Sequence, residues 1–301
     1  MFLDTPQFEC AELGAALGCS VVLKVETLNP VRSFKGRGTD TVMSSLVGLG
    51  YSSAVCASAG NLGLALAHSG SRRDVPVTVF AAENANVLKI ARMRAAGALV
   101  HLEGGDIERP RELAREHART TGGYLVEDSL DVATCEGAAT IGLELAAAAP
   151  HLDVVLVSLG AGAMASGVGT VLHELSPGTR VLAIQPMGAP AMALSWRAGA
   201  VVTTDSVDTI ADGVAGRFPI PEVLEDLLEV VDDVVLVGEP MIRRAMRLLY
   251  VAAGLVVEPS AALGVAAVLE DPERFAGLRV ATIICGSNVR HEDFERWVGE
   301  A

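Results

Sequence analysis

Seven short apolar runs recur along the chain with helix-length segments between them, and several show no polar alternation. They are "SVVLKVE" (20–26), "SAVCAS" (53–58), "VPVTVFA" (75–81), "LVHLEG" (99–104), "DVVLVSL" (153–159), "RVLAIQ" (180–185) and "RVATIIC" (279–285). A strand that is apolar on both faces must be covered on both, as happens in a parallel sheet flanked by helices. Helix candidates fill the gaps: "NLGLALAHSG" (61–70), "RPRELAREHART" (109–120) and "EPMIRRAMRLLYVAAG" (239–254). The last has proline in its first turn and glycine at its end, both boundary signals. The alternation predicts a doubly wound α/β fold. Residues 154–172 run 19 positions without a charge, which is long enough for a bilayer. Four glycines and a β-branched start make strand–loop–helix the better reading.

Charge and cysteines narrow the function classes. Lysine and arginine total 23 against 37 acids, a net −14, and no basic block appears, so a nucleic-acid partner is not expected. Cys10, Cys19, Cys56, Cys135 and Cys285 are odd in number and widely spaced, without CxxC or HExxH, so neither a disulfide framework nor a zinc site is indicated. The start "MFLDTPQFEC" lacks the features of a signal peptide. The expectation is a soluble cytoplasmic protein with no membrane partner.

Lysine usage poses the sharper question. The chain has 20 arginines but only Lys24, Lys35 and Lys89, and Lys35 lies in the turn-rich stretch "NPVRSFKGRG" (29–38). Arginine replaces lysine on a solvated surface but cannot form an imine, because a guanidinium does not become a useful neutral amine. Taken alone, the segment also fits an ordinary structural lysine. Two further loops follow apolar runs, where ligands gather in such folds. "SAGNLG" (58–63) opens a helix whose N–H groups suit a carboxylate, though Ser58 and Asn61 also fit plain capping roles. "GAGAMASG" (160–167) suits a phosphate held by backbone N–H groups, or simply a tight strand–helix turn. It lacks the GxGxxG register of a dinucleotide site, and no well-placed acid follows some 20 residues later.

In order and spacing these motifs resemble fold-type II pyridoxal-phosphate enzymes of the tryptophan synthase beta-like fold, in particular the threonine/serine dehydratase and serine racemase group. The resemblance covers nearly the whole chain. It extends through "APAM" (189–192), "TIADGVA" (209–215), "VDDVVLV" (231–237), "VEPSAALGVAA" (257–267) and "IICGSNV" (283–289). It implies two doubly wound parallel-sheet domains with the active site in the cleft. Residues 1–41 and 133–301 would form the large cofactor-binding domain and 42–132 a small inserted one, in a homodimer. It implies pyridoxal 5'-phosphate bound as a Schiff base to Lys35, which would also move the α-proton. Phe34 and Gly213 would sandwich the ring, and Asn61 would bond its phenolic oxygen. Gly160, Ala161, Gly162, Ala163 and Met164 would hold the phosphate. Glu258 and Cys285 would lie beside the ring, and Ser58, Ala59, Gly60 and Asn61 would receive the substrate carboxylate.

Departures from the family pattern shape the expected reaction. Cys285 stands where the group usually has serine beside the pyridine nitrogen. A thiol there does not enforce a protonated ring, which favours β-elimination over transamination. Ala59 stands where serine racemases of this type carry a second base, and alanine cannot transfer a proton. Gln185 and Ala191 replace acids of the family's cation site, so no metal is expected, and no C-terminal regulatory domain is expected either. The segment "CEGAATIGLEL" (135–145) also resembles threonine synthase, with Ala139 in place of a lysine. Arg32, where relatives usually have a small residue, could recognise a second anionic group of the substrate or point to solvent.

The expected function is therefore dehydration of L-threonine, L-serine or a related 3-hydroxy amino acid to an α-keto acid and ammonia. The alternatives are β/γ-replacement of the threonine synthase or cysteine synthase kind on an activated or anionic substrate, and a non-catalytic cofactor-binding subunit.

Overall fold

A computed structural model of the chain describes residues 2–46 and 48–301. Two compact units form. One takes Phe2, Leu3 and Asn29–Gly137; the other takes Asp4–Leu28 and Ala138–Ala301. The first unit carries a four-stranded sheet of β3 (Ala54–Ala57), β4 (Val77–Ala81), β5 (Leu99–Leu102) and β6 (Tyr124–Val126), in the order β5-β4-β3-β6. Every pairing in it is parallel. The second unit carries β1 (Gln7–Glu9), β2 (Ser20–Val25), β7 (Val154–Ser158), β8 (Arg180–Pro186), β9 (Asp233–Val237) and β10 (Arg279–Ile284). Their order is β1-β2-β10-β7-β8-β9, with β1 antiparallel at one edge and the rest parallel.

The apolar runs read from the sequence are seven of these strands, with ends within two residues of expectation. The uncharged stretch at 154–172 divides into β7 and the helix Ala163–Leu175, and no helix among the described residues is long and apolar enough to cross a membrane. Three strands carry weaker signals. β1 and β6 have three residues each, and β9 is an edge strand that starts on Asp233 and is only partly buried. The parallel strands β2, β7 and β10 are buried almost throughout, as their composition requires.

The first unit is wider than the 42–132 expected of the small domain, because the helix Lys35–Leu46 is built into it. Thr39 Oγ1 and Ser69 Oγ lie 3.0 Å apart and tie this helix to the helix Asn61–Ser71. Gly38 lies so close to Thr134 that a Cβ there would fall 2.8 Å from the Thr134 carbonyl oxygen. A Cβ at Gly137 would overlap the Gly38 backbone. Glycine at both positions lets two helix backbones touch, which a larger residue would prevent.

Candidate active site

The loop before Lys35 is a hydrogen-bonded turn. Asn29 Oδ1 accepts from Val31 N–H at 3.0 Å, Asn29 Nδ2 donates to the Ser33 carbonyl at 3.1 Å, and Arg32 N–H donates to the Asn29 carbonyl at 3.0 Å. Arg32 sits in the left-handed region at φ 51° with its side chain exposed, which gives a backbone reason for a small residue at this place. Ser33 is fully buried, and its Oγ accepts from Lys35 N–H at 3.2 Å, fixing the start of the helix. The Lys35 amine therefore leaves the first residue of an anchored helix. Its Nζ lies 4.7 Å from the centroid of the half-buried Phe34 ring.

Nζ also donates to both carboxylate oxygens of Asp128, each at 2.7 Å. Sequence reasoning missed Asp128. The available signal was an acid two residues past the end of a parallel strand, but that strand, β6, was itself not recognised. The other lysines differ from Lys35. Lys24 is buried, donates to the Thr5 carbonyl at 2.9 Å and pairs with Glu144; Lys89 is buried in the helix Val87–Ala95. Of the three, only Lys35 keeps a partly exposed side chain, 16% accessible.

Ser58, Ala59, Gly60 and Asn61 follow β3, are all half-buried and open the helix Asn61–Ser71. Ser58 Oγ accepts from Gly60 N–H at 3.2 Å, so the hydroxyl shapes the turn and leaves the helix start without a side-chain cap. A Cβ at Gly63 would fall 2.8 Å from the Ser58 carbonyl oxygen, so glycine there allows the turn its close approach. Behind this turn, Cys56 is fully buried, and burial, then the charge of Asp128, push its thiol up to about 12.

In the second unit the glycine loop leaves β7 and enters the helix Ala163–Leu175. Gly162 takes φ 123°, and a Cβ on it would overlap Val223 Cγ1. This helix start has neither a side-chain cap nor an acid in its first turn, and the N–H groups of such a turn carry partial positive charge. A Cβ at Gly160 would meet the Gly213 carbonyl oxygen at 3.2 Å; one at Gly213 would meet Ser260 Oγ at 2.9 Å and Glu258 Oε2 at 3.8 Å. Ser158 Oγ donates to the Ser260 carbonyl at 2.6 Å, and buried Glu258 accepts from Asn288 N–H at 2.6 Å. Gly160, Gly213 and Glu258 are thus brought together, with buried Cys285 just past the end of β10. Gln185 is buried, and its Oε1 accepts from Ala193 N–H at 2.8 Å. That bond gives the amide a structural task.

An uncapped, acid-free helix start behind a tight glycine turn, at the carboxyl end of a central parallel strand, fits a phosphate. A lysine with a partly exposed side chain beside an aromatic ring fits a group with an aldehyde and an aromatic ring. Each feature, taken in its own unit, fits a different part of pyridoxal phosphate.

The chain belongs to the family of pyridoxal-phosphate dependent enzymes, whose model matches residues 2–286. It is 33% identical over 278 residues to an L-threonine ammonia-lyase of Thermotoga maritima, covering 92% of this chain and 69% of that protein. It is 30% identical over 294 residues to a serine racemase of Oryza sativa, covering 95% and 86%. Among solved structures, the processed threonine deaminase isoform 2 of Solanum lycopersicum superimposes with a TM-score of 0.92 at 27% identity, covering 99% of this chain and 83% of that one.

Proposed function

We propose that this enzyme is an ammonia-lyase that eliminates water from L-threonine, L-serine or a related 3-hydroxy amino acid, giving an α-keto acid and ammonia. The observation that carries the reading is Lys35, the one lysine of three with a partly exposed side chain, set on an anchored helix start. Pyridoxal phosphate, when bound, supplies the electron sink that lets a Cα–H bond break.

Lys35 would hold the cofactor covalently and, once released, would take the α-proton on Nζ. The N–H groups of the Gly160–Met164 loop would hold the phosphate. Phe34, Gly213, Asn61, Glu258 and Cys285 would be the residues that hold the ring. The Ser58–Asn61 turn orients the substrate carboxylate. Ala59 offers no proton, which favours elimination over racemisation. Arg32 meets a second anionic group where the substrate carries one; unchanged kinetics of Arg32→Ala on acidic 3-hydroxy substrates would remove it from the site. A homodimer in the cytoplasm completes the reading, and sedimentation of the holoenzyme tests the assembly.

The test is the visible spectrum of the purified protein, followed by L-threonine, L-serine and 3-hydroxyaspartate in turn with keto-acid detection. A band at roughly 410–420 nm with keto acid from one substrate supports the reading and names the substrate. The same band with product only when a nucleophile or phosphorylated substrate is added moves the assignment to replacement chemistry. No band after cofactor addition would overturn it.

A further inference from the structure

We propose that Asp128 is a second catalytic residue, a carboxylate that relays a proton from Lys35 to the departing β-hydroxyl. The inference rests on the elimination reading above. Lys35 Nζ donates to both oxygens of Asp128 at 2.7 Å, with the two side chains 16% and 25% accessible. Partly exposed ion pairs add little stability, so holding a lone lysine this way needs another reason.

The acid is also held in place. Asp131 N–H closes the turn on the Glu127 carbonyl at 2.9 Å, and Thr134 Oγ1 donates to the Asp131 carbonyl at 2.7 Å. Ser129, the next residue, accepts a left-handed φ of 70°, and its N–H donates to Thr134 Oγ1 at 3.1 Å. A non-glycine residue in that region carries a backbone cost, which the surrounding bonds must offset.

Elimination supplies the reason. The Cα–H bond breaks and its proton passes to Nζ, which becomes an ammonium. The electron pair left at Cα forms the Cα=Cβ double bond as the Cβ–O bond breaks. Oxygen leaves with its bonding pair, and hydroxide is a poor leaving group unless it is protonated. A carboxylate one hydrogen bond from Nζ is within reach of a substituent one bond from the α-carbon. Asp128 takes the proton from the Lys35 ammonium and gives it to the departing oxygen, so water leaves and both residues return to their starting forms. No further reactant is required.

Asp128→Asn keeps the shape and removes the proton carrier. The holoenzyme variant is compared with wild type on L-serine or L-threonine, whichever wild type turns over, and on β-chloro-L-alanine, whose chloride leaves without a proton. Borohydride capture of pyridoxal phosphate on Lys35 reports cofactor loading independently of turnover. Capture should match wild type, kcat on the hydroxy substrate should fall by about 10²-fold or more, and kcat on β-chloro-L-alanine should stay within about threefold. Asp128→Glu should recover part of the hydroxy-substrate rate. Equal losses on both substrates, no loss on the hydroxy substrate, or failed capture in both variants would overturn the proposal. A wild-type enzyme that releases no keto acid from any of these would contradict the elimination reading and the relay with it. An active wild type with parallel losses in Asp128→Asn contradicts the relay alone.

Discussion

The lysine loop and the glycine loop solve the same kind of problem with different atoms. In the first unit the proposed chemistry would rest on side-chain atoms, Lys35 Nζ and the Asp128 carboxylate, with Ser33 fixing the start of the lysine helix. In the second unit it would rest on backbone, where side chains are excluded: a Cβ at Gly162 would overlap Val223, and one at Gly213 would crowd Ser260. A side-chain device can lose its function while the fold survives. A backbone device is inseparable from packing, so damage to it reaches binding and stability together.

The largest expected effect separates the two regions. Lys35→Ala should lower keto-acid formation by about 10³-fold or more while the glycine loop still retains the cofactor without a covalent link. Equilibrium dialysis with pyridoxal phosphate checks the retention, and its loss would merge the two roles. Gly162→Val should do the reverse. A β-branched residue at φ 123°, overlapping Val223, should cost on the order of 3 kcal/mol, lower the thermal midpoint and weaken cofactor retention. A normal midpoint with normal retention would mean that the loop tolerates a side chain.

Alkali should act on the first unit through Cys56 and Tyr124. Cys56 rises from 9.0 to about 12 through burial, then the Asp128 charge. Tyr124 rises from 10.0 to about 12 through burial, then the charge of Asp131. Both stay protonated when folded, whereas the unfolded chain begins to release these protons near pH 9. The stability they contribute is complete below that pH and is lost as pH climbs towards about 12. Denaturant midpoints across this window should fall, and in Cys56→Ala the fall should be smaller. A flat profile would contradict the burial of both groups. The smallest effect is local: Ser33→Ala removes the acceptor of Lys35 N–H and should cost about 1 kcal/mol, with a larger fractional loss in kcat than in cofactor retention.

What could be read from the sequence follows the same division. Lysine scarcity drew attention to Lys35, and the apolar run before it to the glycine loop, yet each alone also fits an ordinary structural role. Only the family resemblance gives the two a common cofactor. Asp128 did not stand out, because its meaning depends on β6, a three-residue strand of Tyr124, Leu125 and Val126 with little periodicity to reveal it. The extent of the first unit was hidden for a related reason. Whether the helix after Lys35 joins it depends on the approach of Gly38 to Thr134 and Gly137 and on the Thr39–Ser69 contact, distant pairs that local patterns do not contain.

The central claim is that Lys35, among three lysines, carries the cofactor. Borohydride reduction of the holoenzyme followed by peptide mass mapping tests it directly. The account predicts one pyridoxyl-phosphate adduct, on the peptide containing Lys35, with Lys24 and Lys89 unmodified. An adduct on either of those two, or none after full cofactor loading, would contradict it.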